Sequence, residues 1–235
     1  MNQVEVCLTP DLIGQYDLDG KIVVVVDIFR ATSCIVTGLA YGVKSIYPVS
    51  TVDECFEMGK QGYITAGERG GKKIDGFKIG NSPFEYMQEE FKDQSIAVTT
   101  TNGTKAILAS LSAKEILIGA FLNLHSLANY LATSNNDVVI HCAGWKGTVN
   151  TEDTLFAGAL IDEMKSTHKL SGDSSHIAHN LYQYNRNDLM QVANASSHAR
   201  RLATFGIERD IAFCMDQSLY SVIPVYREGL LEILN

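Results

Sequence analysis

No run in this chain approaches the ~20 consecutive apolar residues that a membrane-spanning helix requires. The N-terminal stretch MNQVEVCLTPDL also lacks the basic-then-apolar pattern of a secretion signal. Cysteine is sparse and unpaired by spacing: Cys7, Cys34, Cys55, Cys142 and Cys214 are odd in number, scattered, and form no CxxC. Free thiols in a reducing compartment follow, and the expected location is the cytoplasm. Positive charge is short as well, with 19 Lys and Arg against 27 Asp and Glu, a formal net charge of −8. That balance argues against a nucleic-acid partner. It does not exclude a small anion, because local cations and backbone donors can outweigh a distant negative surface. Low-complexity linkers are missing too, so the 235 residues are expected to fold as one domain, 1–235.

What is present is an alternation of β-rich runs with helix-like stretches, the signature of a largely parallel sheet covered on both faces. KIVVVVDIF is the strongest strand, followed by ATSCIVTGLAYGV, where Ile35, Leu39 and Val43 recur at helical spacing. SIYPVS predicts a short strand and TVDECFEMGKQG a helix capped near Thr51 or Asp53. PFEYMQEEF predicts a helix with Pro83 in its first turn. SIAVTTTNGTKAILASL and DVVIHCAGWKGTVNTEDTLFAGALIDEM repeat the plan of strand, polar loop and helix. The polar stretch from about Lys165 to Asn187 predicts an irregular surface excursion, DLMQVANASSHARRLATFG a helix, and DIAFCM and SVIPVYREGLLEIL closing strands. The fold class expected is a three-layer α/β/α unit with a mixed, largely parallel sheet, or two similar lobes with the site in the cleft between them.

In open α/β sheets ligands bind beyond the carboxyl ends of strands, where helix N-termini converge. Three loops occupy that kind of position. In DIFRATS, Asp27 is suited to hold a divalent cation or to act as a nucleophile, and Arg30 to grip an oxyanion through paired donors. Thr32 and Ser33 add hydroxyls at a helix start. An Asp–Arg structural pair with a threonine cap is the competing reading. In TTTNGT, the residues Thr100, Thr101, Asn102, Gly103 and Thr104 offer hydroxyls, an amide and a glycine for an anion nest, or a plain Asn-Gly turn. In the third loop, Glu152 and Asp153 are adjacent carboxylates at a helix front, tolerated there by the dipole. With Asp27 they could supply the oxygen ligands that Mg²⁺ prefers.

Two glycine-flanked segments add Glu68 and Arg69, in GERGG, and Asn81 and Ser82, in GNSP, as groups able to close over a ligand or to sit in solvated turns. His176 and His179 lack a third ligand at zinc spacing and are expected at the surface. His198, Arg200 and Arg201 fit either a solvated helix face or a reach toward an anion. Trp145 beside Lys146 is expected to cover a loop edge, and Asp210 and Asp216 to cap or turn the ends of a strand.

Generic phosphate motifs are absent: no GxxxxGK[ST] and no GxGxxG opening a helix. DIF lacks the second aspartate of DxDxT phosphatases. Cys142 follows a histidine as in cysteine phosphatases, but Thr148 stands where those enzymes carry arginine, which rejects a thiolate mechanism.

Taken in order, DIFRATS, GERGG, GFKIGNSP, TTTNGT and EDTLFAGALI, with VIPVY near the end, resemble the 2-phosphosulfolactate phosphatase family over most of the chain. The resemblance implies a Mg²⁺-dependent phosphatase that releases phosphate from a small acid bearing phosphate, carboxylate and sulfonate, leaving 3-sulfolactate for coenzyme M synthesis. It further implies Mg²⁺ near Asp27 with Glu152 or Asp153, and Arg30, Arg69 and the threonine loop on the anionic groups. Catalytic roles are then expected for Asp27, Arg30, Glu68 and Arg69, and substrate contacts for Thr32, Ser33, Asn81, Ser82 and the residues of the threonine loop. A Mg²⁺-dependent lyase or isomerase of a phosphorylated acid, and a non-catalytic binder of organic anions, are the rival readings. A homodimer is the default assembly expected of such an enzyme.

Overall fold

Five consecutive buried residues, Ile22 to Val26, set the centre of the molecule. A strand apolar on both faces must be covered on both, and here it lies between two parallel neighbours. The computed structural model describes residues 1–234. Within them the strands are β1 (Asn2–Cys7), β2 (Ile22–Val26), β3 (Ser45–Pro48), β4 (Ile64–Arg69), β5 (Lys72–Lys73), β6 (Ser95–Thr99), β7 (Glu115–Gly119), β8 (Val138–Cys142), β9 (His168–Leu170), β10 (Pro224–Arg227) and β11 (Leu230–Ile233). The helices are α1 (Ala31–Ala40), α2 (Val52–Lys60), α3 (Gly103–Ala109), α4 (Leu124–Thr133), α5 (Thr151–Met164), α6 (Asp173–Asn185), α7 (Leu189–Ala195), α8 (Ser197–Ala203) and α9 (Glu208–Cys214).

All strands join one sheet in the order β5-β4-β6-β3-β11-β10-β7-β2-β8-β1-β9. The β4–β6–β3 group is parallel within itself, and so is β7–β2–β8–β1–β9. The C-terminal hairpin β10–β11 separates them through successive antiparallel pairings, so the two groups run in opposite senses. Sheet twist, about 20–25° per strand, rotates one group against the other. Loops from both then meet: a Cβ on Gly103, after β6, would stand 2.9 Å from Asp27 Oδ2, after β2. Helices pack around this mixed, mostly parallel sheet in an α/β/α arrangement.

Several local expectations change. Residues 208–214 form α9, not a strand: Glu208 and Asp210 occupy its first turn, and the buried Ile211 and Cys214 follow the helical i, i+3 spacing. PFEYMQEEF makes two 3₁₀ turns, Pro83–Met87 and Glu89–Phe91, around the buried Tyr86 and Phe91. The predicted irregular excursion is ordered as edge strand β9 and helix α6. The buried residues of α6 are small, Ser175 and Ala178, and a Cβ on Gly158 of α5 would fall 2.1 Å from Ala178 O. The expected single helix after residue 187 is broken at Ser196, whose side chain accepts from Ala199 N–H and starts α8. Thr51 caps α2 with Glu54 reciprocating, the first of the two caps proposed there.

In β8, the His141 ring is fully buried, with Nδ1 2.9 Å from Ser110 Oγ and Nε2 without a partner. Burial alone lowers its pKa from 6.5 to about 4. Above pH 6.5 the ring is neutral in both folded and unfolded chains. As pH falls from there toward 4, the unfolded chain takes up a proton that the folded chain refuses, so stability falls. Urea titrations should show His141 removing about 2 kcal/mol between pH 7.5 and pH 5. His141→Asn, whose amide N–H can donate to Ser110 Oγ, should lose that much less over the same interval; equal slopes would mean the ring protonates inside the fold.

Candidate active site

Because β2 is buried between β7 and β8, the chain leaving it is fixed before Asp27 is reached. Ala143 N–H donates to Val26 O at 2.7 Å, and the Asp27 N–H donates to Thr32 Oγ1 at 3.1 Å. Thr32 N–H returns to Asp27 O at 3.0 Å, while Ser33 Oγ donates to Ile28 O at 2.9 Å. Thr32 and Ser33 are therefore latches that shape the Asp27 loop, and both are fully buried behind it. A similar latch orders the threonine loop. Thr100 Oγ1 accepts from Thr104 N–H at 3.1 Å, and Thr104 Oγ1 accepts from Thr100 N–H at 3.2 Å. Gly103 allows the close approach to Asp27, since a Cβ there would also meet Ala31 Cβ at 2.6 Å.

A small cavity opens where these loops meet. Asp27, Phe29, Arg30, Glu68, Gly71, Asn81, Asn102, Trp145, His198, Arg201 and Leu202 line it. Of the residues nominated from sequence, Asp27, Arg30, Glu68, Asn81 and Asn102 line this one cavity. Arg69 is turned elsewhere, donating to Glu68 O at 2.8 Å and to Thr99 Oγ1 at 2.9 Å. Ser82 lies beside the cavity, its Oγ donating to Asp210 Oδ1 at 3.0 Å.

The carboxylates divide into those already committed and those with capacity to spare. Asp153 accepts Ile28 N–H through Oδ1 at 2.9 Å and Gly144 N–H through Oδ2 at 3.1 Å, tying the loops after β2 and β8 together. Glu68 accepts Thr101 N–H and Gly71 N–H, each at 2.7 Å, and so clamps the glycine loop to the threonine loop. Glu152, completely buried, meets His198 Nδ1 through Oε1 at 2.6 Å, while its Oε2 has no partner. Burial raises Asp27 to about 6; His198 opposes the rise, and Glu68 and Glu152 add to it. Asp153 is likewise raised by burial, then by Glu152 and Asp27. Mutually repelling buried carboxylates beside an unpartnered oxygen are what a cation would relieve. Among the described residues no three His, Cys, Asp or Glu side chains form a ready-made metal cage. Mg²⁺ does not need one, since it is commonly held by one or two carboxylates plus water and phosphate oxygens. Asp27 and Glu152 fit that pattern better than Asp153.

Arg30 is buried, with Nη1 2.6 Å from Asp210 Oδ2 and Nη2 3.2 Å from Gly71 O. Asp210 is therefore the counter-ion of a site arginine, not a strand-end cap. His198 and Arg201 face the cavity rather than solvent. Trp145 is more than a loop cover: the Arg201 guanidinium stacks on it, 3.5 Å from Cζ to ring centroid. The signal available for these two was their i, i+3 spacing, which puts both on one face of α8. Asp210 carried no such signal. Cys142 is fully buried and burial pushes its thiol well above the usual range, so it presents no thiolate. His179 bonds Asp162 at 3.1 Å, away from the cavity.

An α/β/α sheet with an acidic, arginine-bearing cavity at converging strand ends defines an anion-handling enzyme architecture. The family model for 2-phosphosulpholactate phosphatase matches residues 7–229. A protein of Caldanaerobacter subterraneus subsp. tengcongensis named "Probable 2-phosphosulfolactate phosphatase" is 40% identical over 227 residues, covering 94% of each chain. Relatives with the same name from Thermotoga maritima and Clostridium beijerinckii are 39% and 36% identical, covering 88% and 97% of this chain and 89% and 98% of theirs. The chain belongs to the 2-phosphosulpholactate phosphatase family, a class of phosphoric monoester hydrolases.

The Arg30–Asp210 pair has side-chain exposures of 6% and 9%, low enough that breaking it strands a buried charge. Asp210→Ala is expected to cost about 3–5 kcal/mol in urea unfolding. The Arg30→Ala/Asp210→Ala double variant should cost clearly less than the sum of the singles. Additivity within about 0.5 kcal/mol would show that the two side chains are not coupled.

Proposed function

We propose that the protein hydrolyses 2-phosphosulfolactate to 3-sulfolactate and inorganic phosphate with Mg²⁺ as cofactor, a reaction that would serve coenzyme M synthesis. The observation that carries this reading is the cavity itself. Asp27, Glu68 and Glu152 gather beside Arg201, Asn81 and Asn102, which are donors suited to an anion. Carboxylates next to an anion site are unfavourable unless a cation lies between them. Matching family membership over residues 7–229 supports the substrate class.

Asp27 and Glu152 would hold the ion, which supplies charge neutralisation on the phosphoryl oxygens when bound. Asp27 is aimed by its latched loop, and Glu68 keeps the glycine and threonine loops at a fixed separation. Asn81 and Asn102 line the cavity and would orient the phosphoryl group through their amide N–H donors. In the hydrolysis a water oxygen bonds to phosphorus, the bond from phosphorus to the C2 oxygen breaks, and that oxygen takes a proton to become the 2-hydroxyl. No thiolate takes part, because Cys142 is held as the thiol.

Phosphate release from 2-phosphosulfolactate is expected with Mg²⁺ and not with EDTA. Asp27→Asn should reduce kcat by about 10²–10³-fold, with thermal stability kept or raised because a repelled buried charge is removed. Undiminished Mg²⁺-dependent turnover in that variant would remove Asp27 from the mechanism.

A further inference from the structure

We infer that Arg201 is the specificity residue of this site: it grips the second, non-reacting acid group of the substrate and not the transferring phosphoryl. The inference rests on the phosphatase reading for the identity of the reacting group.

The other arginines near the cavity are already engaged. Arg30 donates to Asp210 and to Gly71 O, and Arg69 to Glu68 O and Thr99 Oγ1, so each terminal nitrogen of both already has a protein partner. Arg201 differs. Its Nη2 is buried and makes no hydrogen bond among the described residues. A buried, unmet N–H on a charged group is unfavourable until an acceptor arrives. Stacking on Trp145 fixes the plane of the guanidinium without using the in-plane N–H donors, so its edge stays available for two oxygens of one oxyanion.

Position decides which oxyanion. Arg201 lines the main cavity and also an adjoining one, bounded by Trp145, Asn150, Ser197 and His198. It therefore stands where the two cavities adjoin, and it shares the first of them with Asp27, Asn81 and Asn102. A phosphoryl group placed against Asp27 leaves Arg201 facing whatever the substrate carries a few bonds away. Burial pulls Arg201 below the usual arginine range, and the negative field of Glu68, Glu152 and Asp27 opposes that fall. The ligand class is a small phospho-acid with a carboxylate or sulfonate close to the ester. Simple phosphomonoesters would leave Arg201 unmet and are disfavoured for the same reason that any site built to hydrogen-bond a group rejects analogues lacking it.

The test is calorimetric titration of the full chain in Mg²⁺ with 3-sulfolactate and, separately, with inorganic phosphate. Arg201→Ala should weaken 3-sulfolactate by about 30–100-fold and leave phosphate affinity unchanged. Arg201→Lys should restore part of the loss, and Arg200→Ala, on the exposed face of α8, should bind as the wild type does. If Arg201→Ala does not fold, Arg201→Gln, which keeps the stem and removes the charge, gives the same comparison. Unchanged 3-sulfolactate affinity in the variant, no 3-sulfolactate binding by the wild type, or an equal loss for both ligands would each overturn the inference. Turnover is measured alongside. No phosphate release by the wild type together with Arg201-dependent 3-sulfolactate binding would refute the phosphatase reading and uphold the role of Arg201.

Discussion

The carboxylate of Asp153 receives one N–H from Ile28 and one from Gly144, and the rest of the site is hung from that double contact. It joins the loops that leave β2 and β8, the central parallel strands, at the point where each would otherwise diverge. A carboxylate so bonded is expensive to bury and is stabilised by the N–H groups it accepts. With these loops joined, Asp27 has one position and Glu152, the preceding residue on α5, is brought toward it. The sequence pairs Glu152 and Asp153 as interchangeable candidates for a cation; folding separates them into a tie and a residue with an oxygen to spare.

The same division runs through the hydroxyl residues. Thr32, Ser33, Thr100 and Thr104 look like substrate contacts because hydroxyls at helix starts suit oxyanions. In the fold they satisfy backbone groups of their own loops and sit behind the cavity wall. Their contribution is to hold still what does face the cavity. Preorganisation of this sort matters for phosphoryl chemistry, where catalysis is largely positioning and charge stabilisation.

Charge balance in the cavity draws on segments far apart in the chain. Arg30 is neutralised by Asp210 of α9, Glu152 meets His198 of α8, and Arg201 rests on Trp145 of the loop after β8. The C-terminal third therefore closes a cavity whose acidic floor comes from the first two thirds. That also explains why short helices, α7 to α9, are tolerated there. They are held by packing and ion pairs, since isolated helices of such length are marginal in water.

From sequence alone, local physics determined much of this protein. The valines of β2, the Thr51 cap, the strand–loop–helix repeats and the loops bearing Asp27, Glu68, Asn81 and Asn102 were legible, because periodicity, capping and turn chemistry act over a few residues. Other elements were not. Helix α6 meets α5 where Gly158 lies against Ala178 and Tyr182, a close backbone approach that no apolar stripe announces. Helix α9 carries Ile211 and Phe213, residues that suit a strand until the packing of Ile211 and Cys214 is known. Only the tertiary structure decided that the hairpin β10–β11 would stand mid-sheet, which carboxylates would be free, and that Arg201 rather than Arg30 would be left with an unmet donor. Many of those outcomes depend on contacts between residues tens to well over a hundred positions apart, such as Glu152 with His198 and Arg30 with Asp210, and no short stretch of chain encodes them.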